Sequence, residues 1–179
     1  MKISIITDIH LGPECKDCPN VKDPNFPLLE AVDRFVDHAI EGGADVLLEL
    51  GDRIDDVDPQ TDAALAGALA PAFKRFPRQR VQILGNHDVV NLTVAENEAI
   101  FDCSFASHVV DLGEARLIAW QPGVTFNYEM GCFSPTSGHL GWLVQTLLDD
   151  ERPAIIATHV SLAGRAQTAN FYHQFHPTY

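Results

Sequence analysis

Apolar positions along this chain follow two rhythms. Short runs rich in isoleucine, leucine and valine stop abruptly at polar residues. Between them lie longer stretches whose apolar positions recur at helical spacing. The short runs are Ile3-Ser4-Ile5-Ile6-Thr7, Val46 to Leu50, Val81-Gln82-Ile83-Leu84 and Ala154-Ile155-Ile156-Ala157; they predict strands buried on most of their surface. Leu28, Leu29, Val32, Phe35, Val36, Ala39 and Ile40 form one helical stripe, closed by Gly42-Gly43. Asp58-Pro59 offers a cap and first position for a second helix reaching Phe76, with Pro71 expected to end or kink it. Thr93-Val94-Ala95-Glu96 has the form of a capping box before a short helix to about Phe101. His108 to Leu112 and Ala115 to Gln121, joined by Gly113-Glu114, predict a hairpin. Ser137 caps a helix carrying Leu140, Leu143, Val144 and Leu147. Strands alternating with helices place the chain in the α/β class.

The residues just after each short run matter more than the run itself. The first run ends in Asp8-Ile9-His10, the second in Gly51-Asp52, the third in Gly85-Asn86-His87-Asp88 and the fourth in Thr158-His159. Glycine permits the sharp turn that ends such a strand, and open α/β sheets bind ligands just beyond the carboxyl ends of their strands. Asp8 and His10 are two apart, so on a pure strand both would face one side. Asp52, Asn86 and His159 add a carboxylate, an amide and an imidazole. This oxygen and nitrogen set suits Mn, Fe, Zn or Ni, and the histidines argue against Ca or Mg alone. An aspartate has two oxygens and can bridge two cations. A pair about 3.5–4 Å apart clamps a phosphoryl group and generates a hydroxide nucleophile near neutral pH. His87 is placed to give a proton or hydrogen bond to the phosphoryl or leaving oxygen, with Asp88 behind it as the orienting group. A solitary Asp-x-His or Asn-His-Asp says little; all of these blocks in order, each behind a strand, say much more.

Composition narrows the setting. At 179 residues the chain is expected to form one domain with its own core. A net charge of -13 repels a long nucleic acid duplex. No stretch approaches the roughly 20 apolar residues of a membrane span, and no export signal follows Met1-Lys2. The 4 cysteines are therefore expected to be reduced thiols in a cytoplasmic protein. Cys15-Lys16-Asp17-Cys18 could supply half a zinc site, but no second such pair exists, so Cys15 and Cys18 are read as loop thiols. His38 lies off its helix's apolar stripe and is read as solvated, His108 as structural, and His139 as part of a helix start.

Taken together, the blocks resemble a known family. Asp8-Ile9-His10, Gly51-Asp52-Arg53-Ile54-Asp55, Gly85-Asn86-His87-Asp88 and Thr158-His159 look like successive signatures of the calcineurin-like metallophosphoesterases. The resemblance implies an α/β sandwich of two sheets flanked by helices and a dinuclear centre that hydrolyses phosphate mono- or diesters of small phosphorylated substrates. It implies that Asp8 and His10 hold the first metal, Asp52 bridges, Asn86 and His159 hold the second, and His87 is catalytic with Asp88 behind it.

The family's last block, Gly-His-x-His, supplies one histidine to each metal and is not found after His159. His173 and His176 have a different spacing and are read as an ordinary tail. The expectation is a single domain over 1–179, truncated at its C-terminus, with the last strands of the second sheet missing. Weak metal binding and association of copies through the surface left by those strands would result. Two other function classes fit parts of the pattern. A non-catalytic binding module on the same fold has no need of His87-Asp88. An unrelated doubly wound phospho-acceptor regulator leaves Asn86-His87 and His159 unexplained.

Overall fold

Three short parallel strands, β1 (Ile3–Ile6), β2 (Val46–Glu49) and β3 (Gln79–Gln82), carry the first half of the chain. The computed structural model describes residues 1–13, 26–123, 126–127, 132–133 and 137–160. Cys15, Cys18, His173 and His176 lie outside the described residues. β2 is central, with Ile3 opposite Val46 and Val46 opposite Gln79. All three strands are parallel, so their carboxyl ends share one edge.

Helices α1 (Leu28–Glu41) and α2 (Pro59–Lys74) make the crossovers, and α3 (Val94–Phe101) follows β3. Each begins or ends where the local chemistry dictates. The Asp58 side chain accepts from the amides of Gln60 and Thr61, both at 2.9 Å, satisfying donors that have no partner within the helix. Thr93 and Glu96 form the expected capping box. Pro71 does not end α2, which continues to Lys74. The third strand departs from the pattern read in the sequence. Its ladder stops at Gln82, and although the Ile83 amide still donates to Glu49 O at 2.9 Å, the Leu84 amide turns to Gln121 Oε1 at 2.8 Å. The chain leaves the sheet there and enters the turn at Gly85.

The second sheet contains β4 (His108–Asp111) and β5 (Arg116–Ala119), the expected hairpin. Two-residue strands β6 (Phe126–Asn127) and β7 (Cys132–Phe133) pair apart from it, a feature the sequence pattern did not announce. Helix α4 (Ser137–Leu148) leads into β8 (Ala154–Ala157), which lies parallel to β5. Apolar packing sorts these elements into layers. Val46, Leu48, Val81 and Ile83 of the first sheet meet Leu117, Ala119 and Ala157 of the second, filling the space between them. Leu47, on the opposite face of β2, packs with Val32, Val36, Leu69, Phe73 and Phe101 of the first three helices. Ile118 and Trp120 pack against Leu143 of α4 and against Val160. The result is the expected α/β sandwich, two sheets with helices on both outer faces. No described helix is long and apolar enough to cross a membrane.

Candidate metal centre

Beyond Ile6 the chain does not continue as a strand. Asp8 and His10 both take left-handed backbone, with φ 52° and 49°, while Ile9 between them is buried. The expectation that a strand's alternation aligns them is therefore corrected: two left-handed residues, not a pleat, bring both side chains round. Backbone bonds hold this segment beside the end of β2, from the Asp8 amide to Gly51 O at 3.0 Å and from the His10 amide to Asp52 O at 2.9 Å. Asp52 is left-handed too, with φ 55°. Asp102, at the end of α3, is the fourth described non-glycine residue with positive φ. Left-handed backbone costs an L-residue roughly 1–2 kcal/mol, least for short polar side chains. Strain of this kind collects where a site needs it.

Two glycines let the turns after β2 and β3 touch. A Cβ on Gly51, whose φ is +94°, would lie 2.3 Å from the Gly85 nitrogen, and one on Gly85 would lie 2.1 Å from Asp52 Oδ1. Neither turn admits a side chain at these positions. Backbone thus meets backbone, and the His87 amide donates to Asp52 Oδ1 at 2.9 Å.

The sequence-predicted residues converge on Asp52. Its Oδ2 lies 3.6 Å from His10 Nε2 and 3.3 Å from His159 Nε2. Asp8 Oδ1 is 3.9 Å from His10 Nε2, and Asn86 Oδ1 is 3.3 Å from His159 Nε2. Two groups of possible ligands result, His10-Asp52-His87 and Asp8-Asp52-His159, with the ligand atoms of each group within 4.8 Å of one another. Asp52 belongs to both. His87, expected as a catalytic residue only, stands in the first group with its ring edge-on to that of His10 at 4.8 Å between centroids.

Each histidine is held by its other ring nitrogen. His10 Nδ1 lies 3.2 Å from Asp55 Oδ1, His87 Nδ1 2.8 Å from Asp56 Oδ1 and His159 Nδ1 2.8 Å from Leu50 O. An oxygen partner at Nδ1 fixes tautomer and ring orientation and presents Nε2 as a donor of electrons, the usual arrangement around metal-binding histidines. The residues present therefore fit a pair of transition metal ions: three oriented imidazoles, two carboxylates and an amide, with one carboxylate common to two clusters.

Asp88 does not stand behind His87, a correction to the sequence-based expectation. It is buried, and its carboxylate is engaged elsewhere. Its Oδ2 accepts from the amides of Asp52 at 3.0 Å and Gly85 at 2.8 Å and from Arg53 Nη1 at 3.0 Å, while Oδ1 accepts from the Arg53 amide at 2.9 Å. Arg53 claims the carboxylate because buried charge must be compensated. Asp56, in the turn after β2, takes the place behind His87 instead. Sequence reasoning assigned no role to Asp55 or Asp56; a run of carboxylates just past Asp52 was the signal available.

Charge is shared tightly across the centre. Burial alone would raise the Asp52 carboxyl, but hydrogen bonding and attraction from His159, with His87 behind them, hold it below the ordinary carboxylate value. Burial alone would lower His159, but Asp52 outweighs it and lifts the imidazole to about 9. His159 would have to give up that proton to hold a cation through Nε2.

No curated protein matches the chain. Its fold is similar to that of a dimetal phosphatase from Danio rerio, with a TM-score of 0.74 and 11% identity over 96% of this chain and 73% of that one. At that identity the likeness speaks for the fold. The family description "calcineurin-like phosphoesterase" matches residues 1–178. With nearly its whole length matched, this chain belongs to the calcineurin-like phosphoesterases, a family of metal-dependent hydrolases.

Proposed function

We propose that this chain hydrolyses phosphate mono- or diesters of small molecules at the Asp52 cluster, with Asp8, His10, Asp52, Asn86 and His159 holding two transition metal ions. The observation that carries the reading is the membership of Asp52 in both ligand groups. When bound, the ions supply Lewis-acid polarisation of a phosphoryl group and acidification of water. The chain's own residues do the rest. Asp55, Asp56 and the Leu50 carbonyl keep three imidazoles turned toward Asp52, so little reorganisation is needed when substrate arrives. His87 is half-buried, and with Nδ1 on Asp56 it offers Nε2 to the phosphoryl or leaving oxygen as hydrogen-bond donor and acid. The Asp56 carboxylate steadies the imidazole when it carries both protons.

The test is metal content per chain after desalting, beside hydrolysis of p-nitrophenyl phosphate and bis(p-nitrophenyl) phosphate with added Mn, Fe, Zn or Ni. Up to two ions per chain, held weakly enough to be partly lost on desalting, and metal-dependent release of p-nitrophenol from either ester once metal is added are expected. A chain that binds two ions yet cleaves neither ester is a binding module, and the hydrolytic reading fails.

A further inference from the structure

We propose that Arg53 is a positioning residue for the metal centre, locking together the two turns that carry Asp52 and Asn86-His87. The inference rests on the metal-centre reading above. Among the described residues, no hydrogen bond or ion pair joins the Arg53 side chain to a proposed ligand side chain. It is fully buried, with its guanidinium between the rings of Phe101 and Phe105 at 4.7 and 4.9 Å. Its polar contacts all lead to the site turns. Nη1 donates to Asp88 Oδ2 at 3.0 Å, Nη2 donates to Ile83 O at 2.7 Å, and Nη2 pairs closely with Glu49 Oε2.

Both carboxylates that Arg53 engages also accept amides from those turns. Asp88 accepts from Asp52, Arg53 and Gly85, and Glu49 Oε1 accepts from Gly51 at 2.7 Å. Gly51 and Asp52 are the left-handed pair that aims the shared carboxylate. The left-handed conformation of Asp52 is unfavourable in isolation, so something must over-determine it. Two buried carboxyl groups accepting these amides do so, and Arg53 lies against both, although burial still lifts the Glu49 carboxyl to about 7. Lysine would not serve equally. Its ammonium lacks the planar fork that reaches Asp88, Glu49 and Ile83 at once while lying between two aromatic faces.

Removing one partner of a buried ion cluster is destabilising, whereas replacing partners together is often tolerated, so replacing Arg53 together with Glu49 separates the proposal from a purely structural role. Without Arg53 the two carboxylates become uncompensated, and the amides they hold are released. Asp52 and the Asn86-His87 turn then lose their common reference.

The experiment uses the full chain with Arg53→Met, Glu49→Gln/Arg53→Met and Arg116→Met. The double variant removes the surplus negative charge and keeps an oxygen for the Gly51 amide. Arg116 is the control, a buried arginine at the opposite end of β5 that binds Leu147 O at 3.1 Å and other carbonyls at the end of α4. Folding is followed by circular dichroism and thermal melting of the metal-free chains, and binding by Mn titration with electron paramagnetic resonance. The folded Arg53 variants are expected to bind Mn at least about tenfold more weakly, with weakened spin coupling between the ions, while Arg116→Met melts earlier and binds as the parent does. Parental Mn affinity in either folded Arg53 variant overturns the proposal. So does equal weakening in Arg116→Met, or failure of both Arg53 variants to fold, which would make Arg53 a core residue only. A parent chain that binds no Mn overturns the metal-centre reading itself, and this inference with it.

Discussion

The two sheets contribute to the centre in unequal measure. Each strand of the first sheet runs out into site residues: β1 into Asp8 and His10, β2 into Asp52, β3 into Asn86 and His87. The second sheet delivers His159, after β8. Topology accounts for the difference. The first sheet is wholly parallel, so every strand ends at the same edge. In the second, β4 is antiparallel to β5, so the two end at opposite edges. The first sheet can therefore assemble most of a centre from local turns. The second must be aligned across the sandwich, and the contacts from His159 Nδ1 to Leu50 O and from the Leu84 amide to Gln121 Oε1 do so near the site. One sheet organises most of the proposed ligands and the other completes the set.

Asp52→Asn is the most severe way to break that division. It removes a charge common to both ligand groups, so both ions should be lost together, with affinity down by more than about 100-fold, beyond the effect of a lost outer partner. Mn titration checks it; loss of one ion with the other held at parental affinity would refute sharing by Asp52.

His159→Ala tests the second sheet alone. Asp8, His10 and Asp52, proposed to hold the other ion, are untouched, so stoichiometry should fall from two ions to one, read by metal titration. His159 also sets the direction of pH dependence. Its metal-free imidazole is lifted to about 9 and must give up its proton to bind a cation. Affinity for the ion at that position should therefore rise with pH up to about 9, by at most about tenfold per pH unit for one proton. A flat profile from pH 6 to 8 would remove His159 from the ligands.

His87→Ala should leave both ions largely in place and lower turnover by roughly 10²–10⁴. Asp56→Asn should produce a smaller fall of the same kind, because it disturbs His87 without removing it. Parental hydrolysis of an aryl phosphate by His87→Ala would end its assignment as an acid.

The smallest effect sharpens the contrast between interior and surface. Arg152 also pairs with two carboxylates, Asp111 at 2.9 Å and Asp150 at 2.7 Å, and these lie on the surface beside the second sheet. Exposed pairs of this kind contribute roughly 0–1 kcal/mol. Arg152→Ala should shift the melting temperature slightly and leave metal content unchanged. A large loss of metal in this variant would mean that the second sheet has a greater organising role than the geometry gives it.

Much of this protein is legible in the sequence alone, because its signals are local. Apolar runs, the Asp58 and Thr93 caps and the glycines after β2 and β3 each act within a few residues, and they place Asp8, His10, Asp52, Asn86, His87 and His159 at strand ends on one edge. The partners of those residues were decided by the tertiary structure. Asp55, Asp56 and Asp88 are chemically alike in the sequence. One holds His10, one holds His87, and the third turns inward. The choice depends on left-handed backbone at Asp8, His10 and Asp52 and on a buried cation that claims Asp88 before His87 can. Arg53 shows the same limit. Nothing in the spacing marks Arg53 as buried; the end of α3 and the turn after it bring Phe101 and Phe105 against it. Spacing along a chain determines which side chains arrive at an edge, but hydrogen-bond partners and desolvation are properties of the folded interior, where distant segments compete for the same charge.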